Sequence, residues 1–221
     1  MSATILYYSS NRELPEFEAK IVANLLKNCG DLPIISITHK PMDLGHNICV
    51  GDVGASGFNM FRQVLIGCEA ADTKFIISAE ADCLYPPDYF TFRPEKTDIC
   101  YRNKNLYVMP DRRPYFFHKP GGATHSQIVG RKFYIERLKF LFGDAPMWCV
   151  EEKNFPKERH RKEDVFYKIE YWQTENPVFQ IKTHRGMRYY TASDRTPIYE
   201  LPYWGDGKKW YKELVKCVSQ S

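Results

Sequence analysis

Between residues 5 and 78 the chain alternates two kinds of segment. Short runs rich in β-branched and aromatic residues, Ile5-Leu6-Tyr7-Tyr8, Pro33 to Thr38 and Lys74 to Ser78, read as strands. Between them lie stretches with apolar residues at helical spacing. Residues 14–28 repeat through Phe17, Ile21, Leu25 and Leu26, and residues 57–70 place Phe61, Val64, Leu65 and Cys68 on one face. Gly30 and Pro33 stop the first of these helices. This order restricts the architecture strongly. Parallel strands need crossover connections, and helical crossovers cover the faces of the sheet. The expectation is an α/β fold: a Rossmann-like, three-layer αβα sandwich with a mostly parallel central sheet.

The third strand leads directly into chemistry. Phe75-Ile76-Ile77-Ser78 suits a buried strand, and Glu80-Ala81-Asp82 follows at once. In extended chain, residues i and i+2 point to the same side. Glu80 and Asp82 therefore reach one hard cation together, at the strand end where open α/β sheets bind ligands. Oxygen ligands suit Mg²⁺ or Mn²⁺, which commonly bridge to substrate phosphates. Asp and Glu also end many strands simply as turn formers or helix caps.

The second half has a different texture. Ile99-Cys100-Tyr101, Leu106 to Met109 and Tyr115-Phe116-Phe117 suggest short strands, and Lys119 to His125 a loop. Residues 130–142 suit a helix burying Phe133, Leu138, Leu141 and Phe142; a second helix is expected from about Glu163 to Trp172. Val178 to Lys182 suits a strand, and residues 207–218 a C-terminal helix. There is no internal repeat and no evident linker. Residues 1–221 read as a single domain, with a nucleotide-binding half to about residue 97 and a substrate-binding half from about 98.

Composition narrows the class further. A net charge of +4 and pI near 8.6 suit a partner carrying phosphate, but fall short of a dedicated nucleic-acid module. Basic residues cluster at Lys153 to Lys162 and at Lys208, Lys209, Lys212 and Lys216; both runs also suit solvated surface. The seven cysteines are odd in number and form no CxxC pair, and Cys68, Cys83 and Cys100 sit in apolar contexts. Buried free thiols and a reducing, cytoplasmic setting are expected. The start MSATILYYSS has no basic n-region, and no apolar run reaches the roughly 18 residues of a membrane span. Aromatic residues make up 15% of the chain, which suits either a core or a groove for sugars or bases.

Four features in order make the acidic pair more specific: Glu80-Ala81-Asp82, Gly121-Gly122, Lys162-Glu163-Asp164 and His184. This order resembles the GT-A-fold glycosyltransferases, which show an acidic D-x-D motif, a glycine-containing acceptor loop, an x-E-D motif and a late histidine. Phe58 to Gln63, a helix, Phe75-Ile76-Ile77 and then the acids resemble the run found in inverting, family-2-type members. The resemblance covers about residues 4–190. Two departures stand out: Glu80 replaces the first Asp, and Thr38-His39 stands where relatives often carry an Asp toward the nucleobase.

The resemblance implies a GT-A-like enzyme moving a sugar from a nucleotide-diphosphate donor, UDP-linked by preference, to a hydroxyl acceptor. Asp82 is the expected metal ligand with Glu80, and His184 a further one, favouring Mn²⁺ over Mg²⁺. Donor contacts fall to Tyr8, Arg62, Glu80, Asp82 and Arg185, with Arg188 as a weaker diphosphate partner. The attacking hydroxyl must lose a proton, and Asp164 fills the general-base role by motif, with Glu163 as backup. Gly121, Gly122, His125 and Arg131 are the acceptor-side candidates. Each has an ordinary structural reading as well: strand-end histidine, surface arginine, plain turn, or acid in a first helical turn. A nucleotidyltransferase usually carries a glycine-rich loop after the first strand, where this chain has Ser9-Ser10-Asn11-Arg12. The basic clusters keep two alternatives open: glycosylation of hydroxylated DNA bases, and a non-enzymatic nucleic-acid or phosphate-binding module.

Overall fold

The first strand, β1 (Ala3–Ser9), is buried at every position, as a central strand covered on both faces must be. It pairs in parallel with β2 (Ile34–Thr38) on one side and β4 (Phe75–Glu80) on the other. A computed structural model defines this fold and describes residues 2–150, 166, 168–186 and 193–215. β3 (His46–Cys49) extends the sheet beyond β2. Beyond β4 lie β9 (Gln127–Gly130), β6 (Cys100–Asn103) and β10 (Ile169–Trp172). The seven-stranded order is therefore β3-β2-β1-β4-β9-β6-β10. Within it only β9 runs against its neighbours, so the sheet is mostly parallel, as expected. Strands from both halves of the chain enter this one sheet.

Period-two alternation sorts the side chains to two faces. Leu6, Tyr8, Ile35, Ile37 and Ile76 pack under α2 (Gly57–Ala70) and α3 (Arg131–Phe142), against Phe58, Val64, Phe133 and Leu138. Ile5, Tyr7, Phe75 and Ile77 point the other way, toward Leu25 of α1 (Pro15–Asn28). Ile76 and Ile77 are both fully buried, on opposite faces, at roughly 1.5–3 kcal/mol each. The outer side of α1 gives Phe17 and Ile21 to a third cluster with Phe116, Phe179 and Trp204. That cluster rests on a smaller sheet of order β5-β11-β7-β8, made of β5 (Cys83–Leu84), β7 (Leu106–Pro110), β8 (Phe117–His118) and β11 (Val178–Lys182). Much of the aromatic content is thus core, while Tyr171, Tyr199 and Tyr203 stay exposed.

The structure corrects several expectations. Ile169 to Trp172 is a strand, not the end of a helix: its β-branched and aromatic residues pair with Cys100 to Asn103 at the sheet edge. The preceding residues 151–165 lie outside the described set. Leu26 is 53% exposed, because α1 turns its buried stripe through Phe17, Ile21 and Leu25. The C-terminal helix is α4 (Gly207–Trp210), continued as a π-helical turn over Tyr211–Val215. The strand expected at Tyr115 shrinks to Phe117–His118, with Phe116 bridged singly to Ile198. β3, β5 and β9 have no counterpart in the sequence reading. Cys68, Cys83 and Cys100 are buried free thiols, as expected. Among the described residues no helix is long and apolar enough to cross a membrane.

Candidate functional site

The chain leaves β1 toward β2 on one side and returns to β4 on the other, so the connections at the carboxyl ends of β1 and β4 diverge. Such a switch point opens a crevice. Here an open cleft of about 90 Å³ lies at that point. It is lined by Tyr8 and Ser9 at the end of β1 with Ser10, Arg12 and Glu13 beyond it, and by Glu80 at the end of β4 with Ala81 and Asp82 beyond it. Residues 54–56, with Asn59 from the first turn of α2, close one side, and Arg185 and Gly186 another.

Local bonds hold this geometry. Register sets Tyr8 beside Glu80, and the Tyr8 hydroxyl donates to Glu80 Oε1 at 2.9 Å. Asn11 takes a left-handed conformation in the turn after β1; its N–H donates to Ser9 Oγ, and its Oδ1 accepts from the Lys40 N–H. Gln63 of α2 donates to the Ser9 and Ile37 carbonyls at 3.0 and 2.9 Å, fastening the helix to two strand ends. Ser56 caps α2 by accepting the Asn59 N–H at 3.0 Å, leaving the start of the helix directed at the cleft.

Three carboxyl groups share the cleft: Glu13 after β1, Glu80 at the end of β4 and Asp82 in the turn that follows. Asp82 Oδ2 accepts from Gln180 Nε2 at 2.8 Å, and Oδ1 from the Cys83 thiol at 3.2 Å. Burial, and then the charge of Asp82, push the Glu80 carboxyl up to about 7. Glu13 accepts from the Thr183 hydroxyl and is likewise pushed up to about 7, chiefly by burial. Partly desolvated acids facing one crevice, with two arginines beside them, are suited to a cation and an anion bound together.

The structure brings Tyr8, Glu80, Asp82 and Arg185 to this cleft. It sets His184 apart: its N–H and ring Nδ1 both engage Asp111 Oδ2, at 3.1 and 3.3 Å, and its side chain is 67% exposed. Arg62 lies elsewhere, its guanidinium over the Phe142 ring at 3.7 Å and bonded to the Ala145 and Pro146 carbonyls. Arg131 is at the opposite end of the sheet, where it donates to the Thr73 carbonyl at 3.0 Å. Gly121 and Gly122 form a turn with φ of +82° and +70°. A Cβ at Gly122 would press on the Asn103 carbonyl at 3.0 Å. That loop runs at the same end of the sheet as Glu80 without lining the cleft, and His125 within it is buried. Asp164, Glu163, Arg188 and the Lys153 to Lys162 run lie outside the described residues.

The sequence reading missed Arg12, Glu13 and Gln180. For the first two a signal exists: they follow β1 in the turn that, by topology, must border the crevice. Gln180 has no such signal, since only the pairing of β11 with β5 brings it to Asp82.

No protein-family model matches the chain, and no curated protein does. Among solved structures it is similar to S. aureus TarS, at 7% identity and a TM-score of 0.49, covering 82% of this chain and 37% of that one. It is similar to a glycosyltransferase involved in the glycosylation of the major capsid of PBCV-1, at 13% identity and 0.47, covering 84% and 96%. A third is the mannosyltransferase PcManGT from Pyrobaculum calidifontis, in complex with GDP-Man and Mn²⁺, at 13% identity and 0.44, covering 84% and 58%. The chain spans less than two thirds of the TarS and PcManGT chains. By name, the solved structures this chain is similar to thus include a glycosyltransferase and a mannosyltransferase.

Proposed function

We propose that this chain is a glycosyltransferase that moves a sugar from a nucleoside-diphosphate donor to a hydroxyl acceptor, with the donor in the cleft between β1 and β4. One observation carries the reading: Glu80, Asp82, Arg12 and Arg185 line one crevice at the carboxyl ends of parallel strands. Arg12 and Arg185 are suited to the diphosphate oxygens, and the α2 N-terminus adds its amide dipoles.

The donor set fits a hard divalent cation, Mn²⁺ or Mg²⁺. Each Asp82 oxygen accepts one hydrogen bond in the fold and keeps capacity for another contact. Asp82 and Glu80 would hold it; His184, engaged by Asp111, is not part of this set. When bound, the cation neutralises charge growing on the diphosphate leaving group. Gln180 orients Asp82, and Tyr8 orients Glu80. The finer points extend the resemblance: a UDP-linked donor, inversion at the anomeric carbon, Asp164 or Glu163 taking the acceptor's proton, and an acceptor-binding half from about residue 98.

Thermal melting of wild type and Asp82→Asn with UDP, GDP and their sugars, with and without Mn²⁺, tests the reading. A ligand at about 100 times its Kd adds about 2.7 kcal/mol. For a chain of this size that raises Tm by roughly 5–11 °C. A Mn²⁺-dependent rise with one nucleotide, lost in Asp82→Asn, is expected. No rise with any nucleotide would overturn the reading.

A further inference from the structure

Behind the cleft three unlike ligand groups converge. Glu80, Cys83 and His125 each place one ligand atom within 4.8 Å of the other two. Register explains the meeting. Ile77 of β4 pairs with Ile128 of the antiparallel β9, so three residues onward His125 comes level with Glu80. The Tyr85 hydroxyl ties the two backbones: it donates to the His125 carbonyl at 2.8 Å and accepts the Glu80 N–H at 3.0 Å. Cys83 is held at the same level by the pairing of β5 with β11.

The cluster is buried and incompletely satisfied. His125 is 5% exposed, and its Nε2 finds no hydrogen-bond partner among the described residues. A buried polar atom left so costs about 1–3 kcal/mol and calls for an explanation. Cys83 is 1% exposed, with its thiol on Asp82 Oδ1. Burial and the nearby Lys182, Lys119 and Arg102 cations hold the imidazole neutral, which is its ligand form.

We propose that Glu80, Cys83 and His125 form a binding site for a thiophilic divalent cation of the Zn²⁺ class. One sulfur, one imidazole nitrogen and one carboxylate oxygen match the ligand preferences of Zn²⁺ and not those of Mg²⁺ or Mn²⁺. On binding, the Cys83 thiol gives its proton to solvent and becomes the thiolate ligand, with no change of oxidation state. The dication removes the cost of placing that thiolate beside Glu80 and Asp82, and affinity rises with pH. The site shares Glu80 with the proposed donor cleft, while Cys83 and His125 belong to it alone.

Titration of the full chain with Co²⁺, followed by absorbance, tests it. Wild type is expected to develop a thiolate-to-cobalt charge-transfer band that saturates at one equivalent and is bleached by Zn²⁺. Cys83→Ser should abolish the band, His125→Ala should weaken Zn²⁺ binding by more than about 10-fold, and Cys49→Ser, at the exposed thiol, should leave both unchanged. No band in wild type would overturn the proposal whatever the variants do, as would a band that survives Cys83→Ser. Mn²⁺-dependent nucleotide melting reads Asp82 and the cobalt band reads Cys83, so each reading can fail alone.

Discussion

The two ends of the central sheet meet their polar groups differently. At the amino end of β4, the Arg131 guanidinium donates to the Thr73 and Cys68 carbonyls, and its N–H to the Lys74 carbonyl. Gly130 lets the end of β9 come against the Thr97 backbone. Polar capacity there is used within the fold. At the carboxyl end Glu13, Glu80 and Asp82 converge, and two of the three are pushed up to about 7 chiefly by burial. The lesson is that a parallel sheet sets its function at one end. Strands finish there, crossover helices begin there, and their free amides and side chains face a crevice.

The largest expected effect breaks the amino end. A Cβ at Gly130 would fall on the Thr97 carbonyl oxygen, where backbone, not a flexible side chain, must give way. Gly130→Ala should cost about 3 kcal/mol or more in urea unfolding. A loss below about 1 kcal/mol would show that the close approach is not required.

The next sharpens the carboxyl end. Because the folded Glu13 carboxyl is raised to about 7, its contribution is fully present below pH 4.5 and is lost as pH rises through 7. Metal-free wild type should therefore lose stability across that window. Glu13→Gln should be flatter, and more stable than wild type at pH 8 by on the order of 1–2 kcal/mol. Parallel pH profiles for the two proteins would remove Glu13 from the buried acidic set.

The smallest effect contrasts two arginines. Arg62 is fixed by the Phe142 ring and two carbonyls, so Arg62→Ala should cost about 1–2 kcal/mol of stability and leave any nucleotide-induced rise in Tm intact. Arg185 lines the cleft, so Arg185→Ala should do the reverse. Similar melting behaviour for both variants would erase the distinction.

Much was legible because it is local. Phe17, Ile21 and Leu25 mark a helix face by spacing alone, and Phe75 to Ser78 mark a strand by composition. Glu80 and Asp82 were visible as a pair because both follow a strand-like run directly, although Asp82 reaches the cleft from the turn after β4 and not by strand alternation. Ile169 to Trp172 misled because a short apolar run has no period long enough to separate helix from strand. Pairing with Cys100 to Asn103, some 70 residues away, decides it. Arg62 misled for a related reason: its place on a helix near the acidic strand says nothing of which face it occupies in three dimensions.

By itself the sequence determined the alternating segments, the faces they bury and the acids at the end of β4, since propensity and periodicity act over a few residues. Only the tertiary structure decided that β9 enters the sheet against its neighbours, bringing His125 level with Glu80. It alone decided that Glu13 and Gln180 join Asp82, and that His184 turns to Asp111 instead. Strand order and register are set by hydrogen bonds between segments far apart in the chain, and no local pattern encodes which distant strand will supply them.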